Sequence, residues 1–377
     1  MVNKFRTVLV TGSKGFIGKN LIEALSRQKK IKVYKFDVDE DTAVLKSALR
    51  QADIICHLAG VNRPEKEEKF ATGNTDSVKD IVALLEEVQR TPAIIFTSSI
   101  QAAMNNPYGN SKKAAENLLY EYGKKTGASV YIYRLNNVFG KWCRPNYNSV
   151  VATFCHNIAN NLDINISDRA REIELIYIDD VIDSILNIIK NCPEVAPGAY
   201  LSVSPSYKIT LGDLADRIYQ FRNIRQSLII PDLSDDFTRC LYPTYLSYLD
   251  KKDFSYNLEK RIDERGTLIE LIKSRHLGQI FISKTHGKVI RGNHYHNTKA
   301  EKFCVVQGEA CIRFRHILSD EIITYHVSGN DMKIVDIPPG YAHSIENLAN
   351  GEMIVLFWAD EIFDAEKPDT YYAEVLK

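Results

Sequence analysis

The chain has 377 residues, enough for two domains with separate cores, and its 48 basic and 48 acidic side chains cancel. Without a charge excess, neither a nucleic-acid backbone nor an anionic membrane surface is the expected partner, and a small molecule is. Seven cysteines with no CxxC pair argue against a disulfide framework and suit reduced thiols in the cytoplasm. The first strand, "RTVLVTG", begins almost at once, and no run of about eighteen apolar residues follows anywhere, so neither export nor membrane insertion is expected.

Up to about residue 135, short apolar runs ("TVLV", "KVYKF", "DIICHL", "AIIF", "VYIYR") alternate with helical patterns such as Val78, Ile81, Val82, Leu85 and Val88. That alternation predicts an α/β fold, a Rossmann-type doubly wound parallel sheet with helices on both faces. From 141 to 245 the texture is mixed and predicts a small substrate lobe, with Thr210 and Asp213 placed to cap a helix. The polar tract "YLDKKDFSYNLEKRIDERG" reads as a linker, after which short alternating segments predict an all-β domain. The expected division is therefore 1–248 and 249–377, with the linker at the start of the second part.

In "VLVTGSKGFIGKNLIEAL" a strand meets a helix through a loop carrying Gly12, Gly15 and Gly18. Such a loop lets backbone approach a pyrophosphate at the helix's positive end, which makes Gly12, Lys14, Gly15, Phe16, Ile17 and Gly18 cofactor-binding residues. Further on, Tyr108 and Lys112 stand four apart at the start of a helix that Asn106 can cap and Pro107 can open. A nearby ammonium favours the phenolate, so Lys112 is expected to lower the pKa of Tyr108 and let it exchange a proton with a carbonyl oxygen. Ser99, at the end of "AIIFTSS", would hydrogen-bond the same oxygen, with Ser98 as the other hydroxyl in position. A YxxxK pair on a helix often merely decorates a surface; the order of loop, strand-end serines and helix argues against that here.

The GxxGxxG spacing resembles the short-chain dehydrogenase/reductase superfamily, especially its extended branch acting on nucleotide sugars. That resemblance implies a cofactor-adenosine turn at Leu58, Ala59 and Gly60 of "HLAG" and a catalytic set of Ser99, Tyr108 and Lys112. It also places Asn137 of "RLNNVFG" near the cofactor or sugar and Asn148 of "KWCRPNYNSV" near the nucleotide, while Arg169 and Arg171 are placed to pair with a diphosphate. In "IYIDDV" the expected role of Asp179 or Asp180 is architectural, as a helix cap.

In the last third, His294, His296 and Glu301 fit HxHx4E ahead of Gly308, and "PPGYAHSIEN" adds His343. Two histidines two apart on a strand point to one side, and the other two ligands can enter from neighbouring strands. An N3O set suits zinc, and also iron(II), manganese or nickel; zinc is preferred because polarising a carbonyl needs no redox metal. These are the two halves of the cupin signature, implying a jelly-roll barrel. His57, His286 and His316 carry no assignment, and Arg313, Arg315 and Tyr325 are proton-transfer candidates in the cup.

A reductase joined to a metal-bearing cup suggests one sugar ketone used twice. A ketone at carbon 4 acidifies the hydrogen on carbon 3, allowing inversion there, and hydride delivery then removes the activating group. The arrangement closely resembles the bifunctional capsular-polysaccharide enzymes that convert a UDP-2-acetamido-2,6-dideoxy-4-hexulose on the route to UDP-N-acetyl-L-fucosamine. "TGSKGFIGKNL", "HLAGVNRPE", "NPYGNSK", "FGKWCRPNYNSV", "TYLSYL", "GNHYHNTKAEKF" and "IRFRH" carry the resemblance nearly end to end. It implies NADPH-dependent reduction, epimerisation in a zinc-bearing cupin, and a homodimer joined partly through the cupins. One feature departs: Asp37, nineteen residues beyond Gly18, is the acid that takes ribose hydroxyls and repels a 2′-phosphate. Lys14 partly compensates, so NADPH remains the expectation with NADH open. Two rival readings are a reductase whose barrel serves only assembly, and a regulator that binds NADP without turnover.

Overall fold

In β1 (Arg6–Thr11), Val8 and Val10 enter one apolar cluster and Leu9 another, and all three are fully buried. A strand covered by helices on both sides needs this pattern. The computed structural model describes residues 6–64, 66–196 and 198–376. After β1 come α1 (Phe16–Ser26), β2 (Ile31–Phe36), α2 (Thr42–Leu49) and β3 (Ile54–His57). There follow α3 (Glu68–Phe70), a π-helical turn (Ala71–Asp76), α4 (Ser77–Glu87), β4 (Ala93–Ser99), α5 (Pro107–Thr126) and β5 (Val130–Leu135). Next are β6 (Asn137–Phe139), α6 (Val150–Ala159), β7 (Glu172–Tyr177), α7 (Ile178–Asn191), β8 (Tyr200–Leu201), β9 (Tyr207–Thr210), α8 (Leu211–Ser227) and α9 (Asp236–Leu246).

Six strands form one parallel sheet in the order β2-β1-β3-β4-β5-β8. The chain leaves β1 toward one side for β2 and crosses to the other for β3, so a crevice opens at the carboxyl ends of β1 and β3. Residues from α1 and α7 join the cluster on one face, and residues from α2, α4 and α5 join that on the other. A smaller three-stranded sheet, β6-β7-β9, lies apart from it. Thr210 caps α8 as expected, its hydroxyl accepting the Asp213 N–H at 3.1 Å. Neither Asp179 nor Asp180 caps α7, whose N-cap is Tyr177: both lie inside the first turn, where Asp179 pairs with Lys141 at 2.8 Å.

The remaining strands are β10 (Lys260–Asp263), β11 (Gly266–Ser274), β12 (Gly278–Thr285), β13 (Ile290–Tyr295), β14 (Glu301–Gln307) and β15 (Glu309–His316). They continue with β16 (Ile322–Ser328), β17 (Ile334–Ile337), β18 (Tyr341–Asn347), β19 (Met353–Ala359) and β20 (Tyr371–Tyr372). All pair antiparallel in two sheets, β10-β11-β12-β19-β14-β17 and β16-β15-β18-β13-β20. Alternate residues of both, among them Phe303, Val305, Ile312, Phe314, Ile345, Val355 and Phe357, fill a common core. The fold class is thus a Rossmann-type α/β unit and an antiparallel unit consistent with a jelly roll.

By packing, the first unit comprises 1–218 and 240–249 and the second 219–239 and 250–377. The stretch 219–239 precedes the polar tract, yet it groups with the strands that follow. Lys273 in β11 exchanges two 2.8 Å backbone hydrogen bonds with Leu228 and Ile230.

Candidate functional site

The loop after β1 rests directly on the turn after β3. Gly12 has φ +68°, and a Cβ there would lie 2.6 Å from the Ala59 nitrogen; one on Gly18 would lie 2.1 Å from the Gly12 carbonyl oxygen. Gly15 is the N-cap of α1 and supplies no side-chain cap. The helix therefore presents backbone N–H groups with no side chain competing for them, beside a cradle that any Cβ would fill. Phe16 and Ile17 pack on the core beneath the loop, and Leu58 does the same from the other side. At the end of β2, the Asp37 carboxylate accepts hydrogen bonds from the Lys14 N–H at 2.7 Å and from the Val38 N–H at 2.9 Å. The Lys14 ammonium pairs with Asp39.

Asn106 caps α5, accepting the Gly109 N–H at 2.8 Å, and Pro107 opens the helix, so Tyr108 and Lys112 emerge one turn apart. The Ser99 side chain lies close enough to the Tyr108 hydroxyl to lower its pKa. Ser98 turns the other way, donating at 2.7 Å to Glu116, which also takes a bidentate pair from Arg134 at 2.9 and 2.7 Å. Glu116 is fully buried, and removing one partner of such a pair costs about 3–5 kcal/mol, so Ser98 belongs to a structural network. The choice between the two serines therefore falls to Ser99.

The Lys112 ammonium donates to the Thr97 carbonyl at 3.1 Å and sits 4.9 Å from the centre of the Phe96 ring. Burial lowers its pKa to about 8, with Glu116 opposing. The expected acidification of Tyr108 does not occur in the protein alone: burial pushes its pKa up to about 12, against the lowering effect of the Ser99 side chain. Lys112 is engaged by a backbone carbonyl, so desolvation dominates at the phenol. Tyr108 thus stays protonated, the state from which it can donate to a carbonyl oxygen. Gly60 permits this convergence, since a Cβ there would come within 3.0 Å of the Lys112 ammonium and 2.8 Å of the Asn74 amide oxygen.

Asn74, in the π-helical turn, was not singled out by the sequence. Its amide bonds both backbone groups of Val61, each at 3.0 Å, and the Ser111 hydroxyl at 3.1 Å, so it holds the turn after β3 against α5. Tyr147 is likewise new: it accepts the Arg63 N–H at 3.3 Å, lies 5.1 Å beneath the Arg144 guanidinium and helps to raise the Tyr108 pKa. Of the expected substrate residues, Asn137 is exposed and donates to the Glu174 carbonyl at 3.2 Å, and Asn148 is exposed before α6. Arg169 forms a 2.7 Å ion pair with Asp216. No hydrogen bond or ion pair among the described residues joins these three to Tyr108.

In the second unit, a bulge between Gly292 and His294 carries Asn293 at φ +57° and puts His294 opposite His343 on β18. Glu301 opens β14 in the facing sheet, and the four side chains bring ligand atoms within 4.8 Å of one another. Burial first, and the neighbouring histidines next, lower the pKa of His294 and His343, the latter to about 3. Burial opposes ionisation of Glu301, but the proximity of His296 and His343 outweighs it and holds the carboxyl below its ordinary range. His296 Nδ1 lies 2.7 Å from the Asp369 carbonyl and His343 Nδ1 3.2 Å from that of Tyr341. Their Nε2 atoms are buried without a hydrogen-bond partner. Buried inward imidazole nitrogens without a hydrogen-bond partner, beside a carboxylate, fit a divalent ion such as zinc.

Two of the proposed proton-transfer residues point elsewhere. Arg313 and Arg315 alternate with the inward Ile312 and Phe314; Arg313 pairs with Glu346 at 2.6 Å, and Arg315 donates to the Glu374 and Val375 carbonyls. Tyr325 remains exposed, edge-on to Phe314.

Residues 8–202 match the NAD dependent epimerase/dehydratase family and residues 261–371 the polysaccharide biosynthesis C-terminal domain. The chain belongs to the NAD dependent epimerase/dehydratase family. Membership makes it a nicotinamide-dependent enzyme, in agreement with the glycine cradle. It is 43% identical over 368 residues, 98% of each chain, to the UDP-2-acetamido-2,6-beta-L-arabino-hexul-4-ose reductase of Pseudomonas aeruginosa. The crystal structure of the capsular polysaccharide assembling protein CapF from Staphylococcus aureus superposes with TM-score 0.92 at 45% identity, covering 98% of this chain and 100% of that one. A UDP-glucuronic acid 4-epimerase from Bacillus cereus, solved with NAD, shares the first unit's fold at 18% identity and TM-score 0.52, over 58% of this chain and 84% of that one. No helix among the described residues is long and apolar enough to cross a membrane.

His57 lies between the two halves of the crevice, its Nδ1 2.7 Å from the Thr11 hydroxyl, its Nε2 3.3 Å from that of Ser77 and its ring stacked on Phe96. Burial, reinforced by Lys112, lowers its pKa to about 3. The unfolded chain therefore binds one more proton than the folded one between about pH 6.5 and 3, and stability falls as pH drops through that window by up to about 1.4 kcal/mol per unit. Urea melts at stepped pH should show His57→Gln with a shallower acid dependence than the parent; parallel curves would remove His57 from the acid response.

Proposed function

We propose that the chain epimerises carbon 3 of a UDP-linked 2-acetamido-2,6-dideoxy-4-hexulose in its barrel and then reduces the C4 ketone in its Rossmann-type unit, supplying a precursor of capsule or another surface polysaccharide. The observation that carries the reductase half is the meeting of Ser99, protonated Tyr108 and Lys112 on a nicotinamide-type crevice. End-to-end similarity to the Pseudomonas reductase and to CapF supports the substrate class.

A nicotinamide cofactor held by the Gly12–Gly18 loop supplies the hydride. Ser99 hydrogen-bonds the ketone oxygen and Tyr108 gives it a proton as the C4–H bond forms, while Lys112 stays by the Thr97 carbonyl to favour the phenolate left behind. In the barrel, His294, His296, Glu301 and His343 would hold a zinc ion, whose chemistry is to draw electron density from the substrate carbonyl. The chain's part there is to fix three imidazoles and one carboxylate around that ion, lowering the cost of losing the C3 proton.

The side chains at the end of β2 favour NADH over NADPH. Asp37 is fixed by two backbone N–H groups where a 2′-phosphate would stand, and Lys14, the cation expected to offset it, is engaged by Asp39. A homodimer is supported by the apolar residues on the free strand edges of the barrel: Ile322 and Ile323 on β16, Ile334 on β17, with Leu318 and Met332 beside them, all exposed.

Tyr108→Phe is expected to lower kcat for keto-sugar reduction by about 10²–10⁴-fold with little change in cofactor affinity; undiminished turnover would favour a regulator. His296→Ala should abolish solvent deuterium wash-in at sugar carbon 3 while leaving hydride transfer to an already epimerised substrate intact, whereas unchanged wash-in would make the barrel an assembly module. Fluorescence titration should show NADH binding about tenfold or more tighter than NADPH, a gap that narrows in Asp37→Ser; tighter NADPH binding overturns the assignment. Light scattering should report a dimer that Ile323→Asp with Ile334→Asp converts to monomer, and a dimer that survives both changes places the interface elsewhere.

A further inference from the structure

The chain does not end with its last ligand-bearing strand. Beyond β19 it returns, and the segment 368–375 lies along the elements that carry His294, His296 and Glu301. β20 pairs with β13 so that Tyr372 faces His294 and Tyr371 faces Tyr295, whose ring stacks on Tyr371 at 5.3 Å. The Ala373 N–H donates to the Asn293 carbonyl at 3.0 Å, beside the bulge that orients His294.

Asp369 is the centre of this segment. One carboxylate oxygen accepts the Asn297 N–H at 3.0 Å. The other accepts the Thr298 N–H at 2.9 Å, the Lys299 N–H at 2.8 Å and the Thr298 hydroxyl at 3.0 Å. Three successive backbone N–H groups of the turn joining His296 to Glu301 thus close on one carboxylate. The same residue's carbonyl lies 2.7 Å from His296 Nδ1, and its backbone adopts φ +36°, a left-handed conformation disfavoured for a residue with a Cβ. Lys299, nearly fully buried, donates from its ammonium to the Pro368 carbonyl and the Thr370 hydroxyl, each at 3.3 Å, tying the residues on either side of Asp369 to the same turn.

We infer that Asp369 is a positioning residue of the metal centre: its carboxylate anchors the 297–299 turn, and its carbonyl fixes His296 as the Nδ1–H tautomer, with Nε2 turned toward the ion. The orphaned Nε2 of His296, 3.2 Å from Glu301, is what this tautomer leaves facing the cluster. Four bonds to a carboxylate are charge-assisted, and they hold a backbone conformation the residue would not otherwise keep. Releasing the carboxylate frees the carbonyl, lets the imidazole take either tautomer and loosens the spacing between the second and third ligands. No ligand is lost, so the effect falls on affinity and geometry. Outer partners of ligating histidines act in this way, and their removal typically weakens metal binding about 10–100-fold.

The inference rests on the metal-centre reading, and the test separates the two. In the full-length protein, zinc affinity is measured by competition with a chromogenic chelator, the cobalt(II) visible spectrum is recorded, and the tautomer of His296 is read in the metal-free protein from ¹⁵N couplings of its imidazole. Asp369→Ala should bind zinc about 10–100-fold more weakly, show an altered cobalt spectrum and lose the fixed Nδ1–H tautomer, while Asp369→Asn, which keeps an acceptor for the turn, should recover most of the affinity. A purely structural role would lower the melting temperature of the metal-free protein in both variants without moving the tautomer, and that result overturns the inference. So does parental affinity with a parental spectrum in Asp369→Ala. If the alanine variant does not fold, the asparagine variant decides: a fixed tautomer with near-parental affinity supports the role, and parental affinity with a mixed tautomer refutes it. A parent protein that binds neither zinc nor cobalt brings down the metal centre itself.

Discussion

Backbone lies on backbone where the loop after β1 meets the turn after β3, and the reductase centre depends on that contact. A methyl group at Gly12 would overlap the Ala59 amide, and one on Gly60 would press on both Asn74 and Lys112. Because these positions carry no side chain, the Gly12–Gly18 loop, the 58–60 turn and the first turns of α5 close around one crevice. Asn74 then ties that turn to α5 through Val61 and Ser111. The parallel strand order supplies the crevice, and the missing side chains let a cofactor into it.

The two units solve opposite electrostatic problems by the same means, desolvation. In the crevice, burial keeps Tyr108 protonated and lowers the Lys112 pKa to about 8, with Glu116 opposing. In the barrel, burial lowers the pKa of His294 and His343, favouring the neutral state a metal ligand would need, while the imidazoles around Glu301 hold its carboxyl below the ordinary range. Glu116, with Arg134 and Ser98, is a separate case: a fully paired buried network under the helix that carries Tyr108 and Lys112, which sets the helix's position and leaves Ser99 alone to face the site.

Patterns of spacing were legible before any coordinates. The strand–loop–helix with its three glycines, the Tyr108–Lys112 interval and the His294–His296 pair each follow from a fixed geometric period, Glu301 and His343 complete a recognisable motif, and the structure gathers each group. Partners contributed from far along the chain were not legible. Asn74, Tyr147 and Asp369 have ordinary neighbours in sequence and gain meaning only from what the fold brings beside them. Arg313 and Arg315 could be named only as candidates because one residue of alternation decides which face of β15 a side chain takes, and the sequence does not say which face is inside.

The sequence by itself determined the two architectures, the cofactor loop, the four-residue donor set of the barrel and the acid at the end of β2, since each is written as a recognisable pattern of residue types and spacings. Tertiary structure alone decided which of two adjacent serines lies by Tyr108, that the tyrosine is held protonated, that Lys14 is engaged by Asp39, and that the Asp369 carbonyl meets His296, more than seventy positions earlier. Those outcomes rest on burial and on contacts between distant segments. Desolvation and hydrogen-bond geometry exist only once the segments have been packed together.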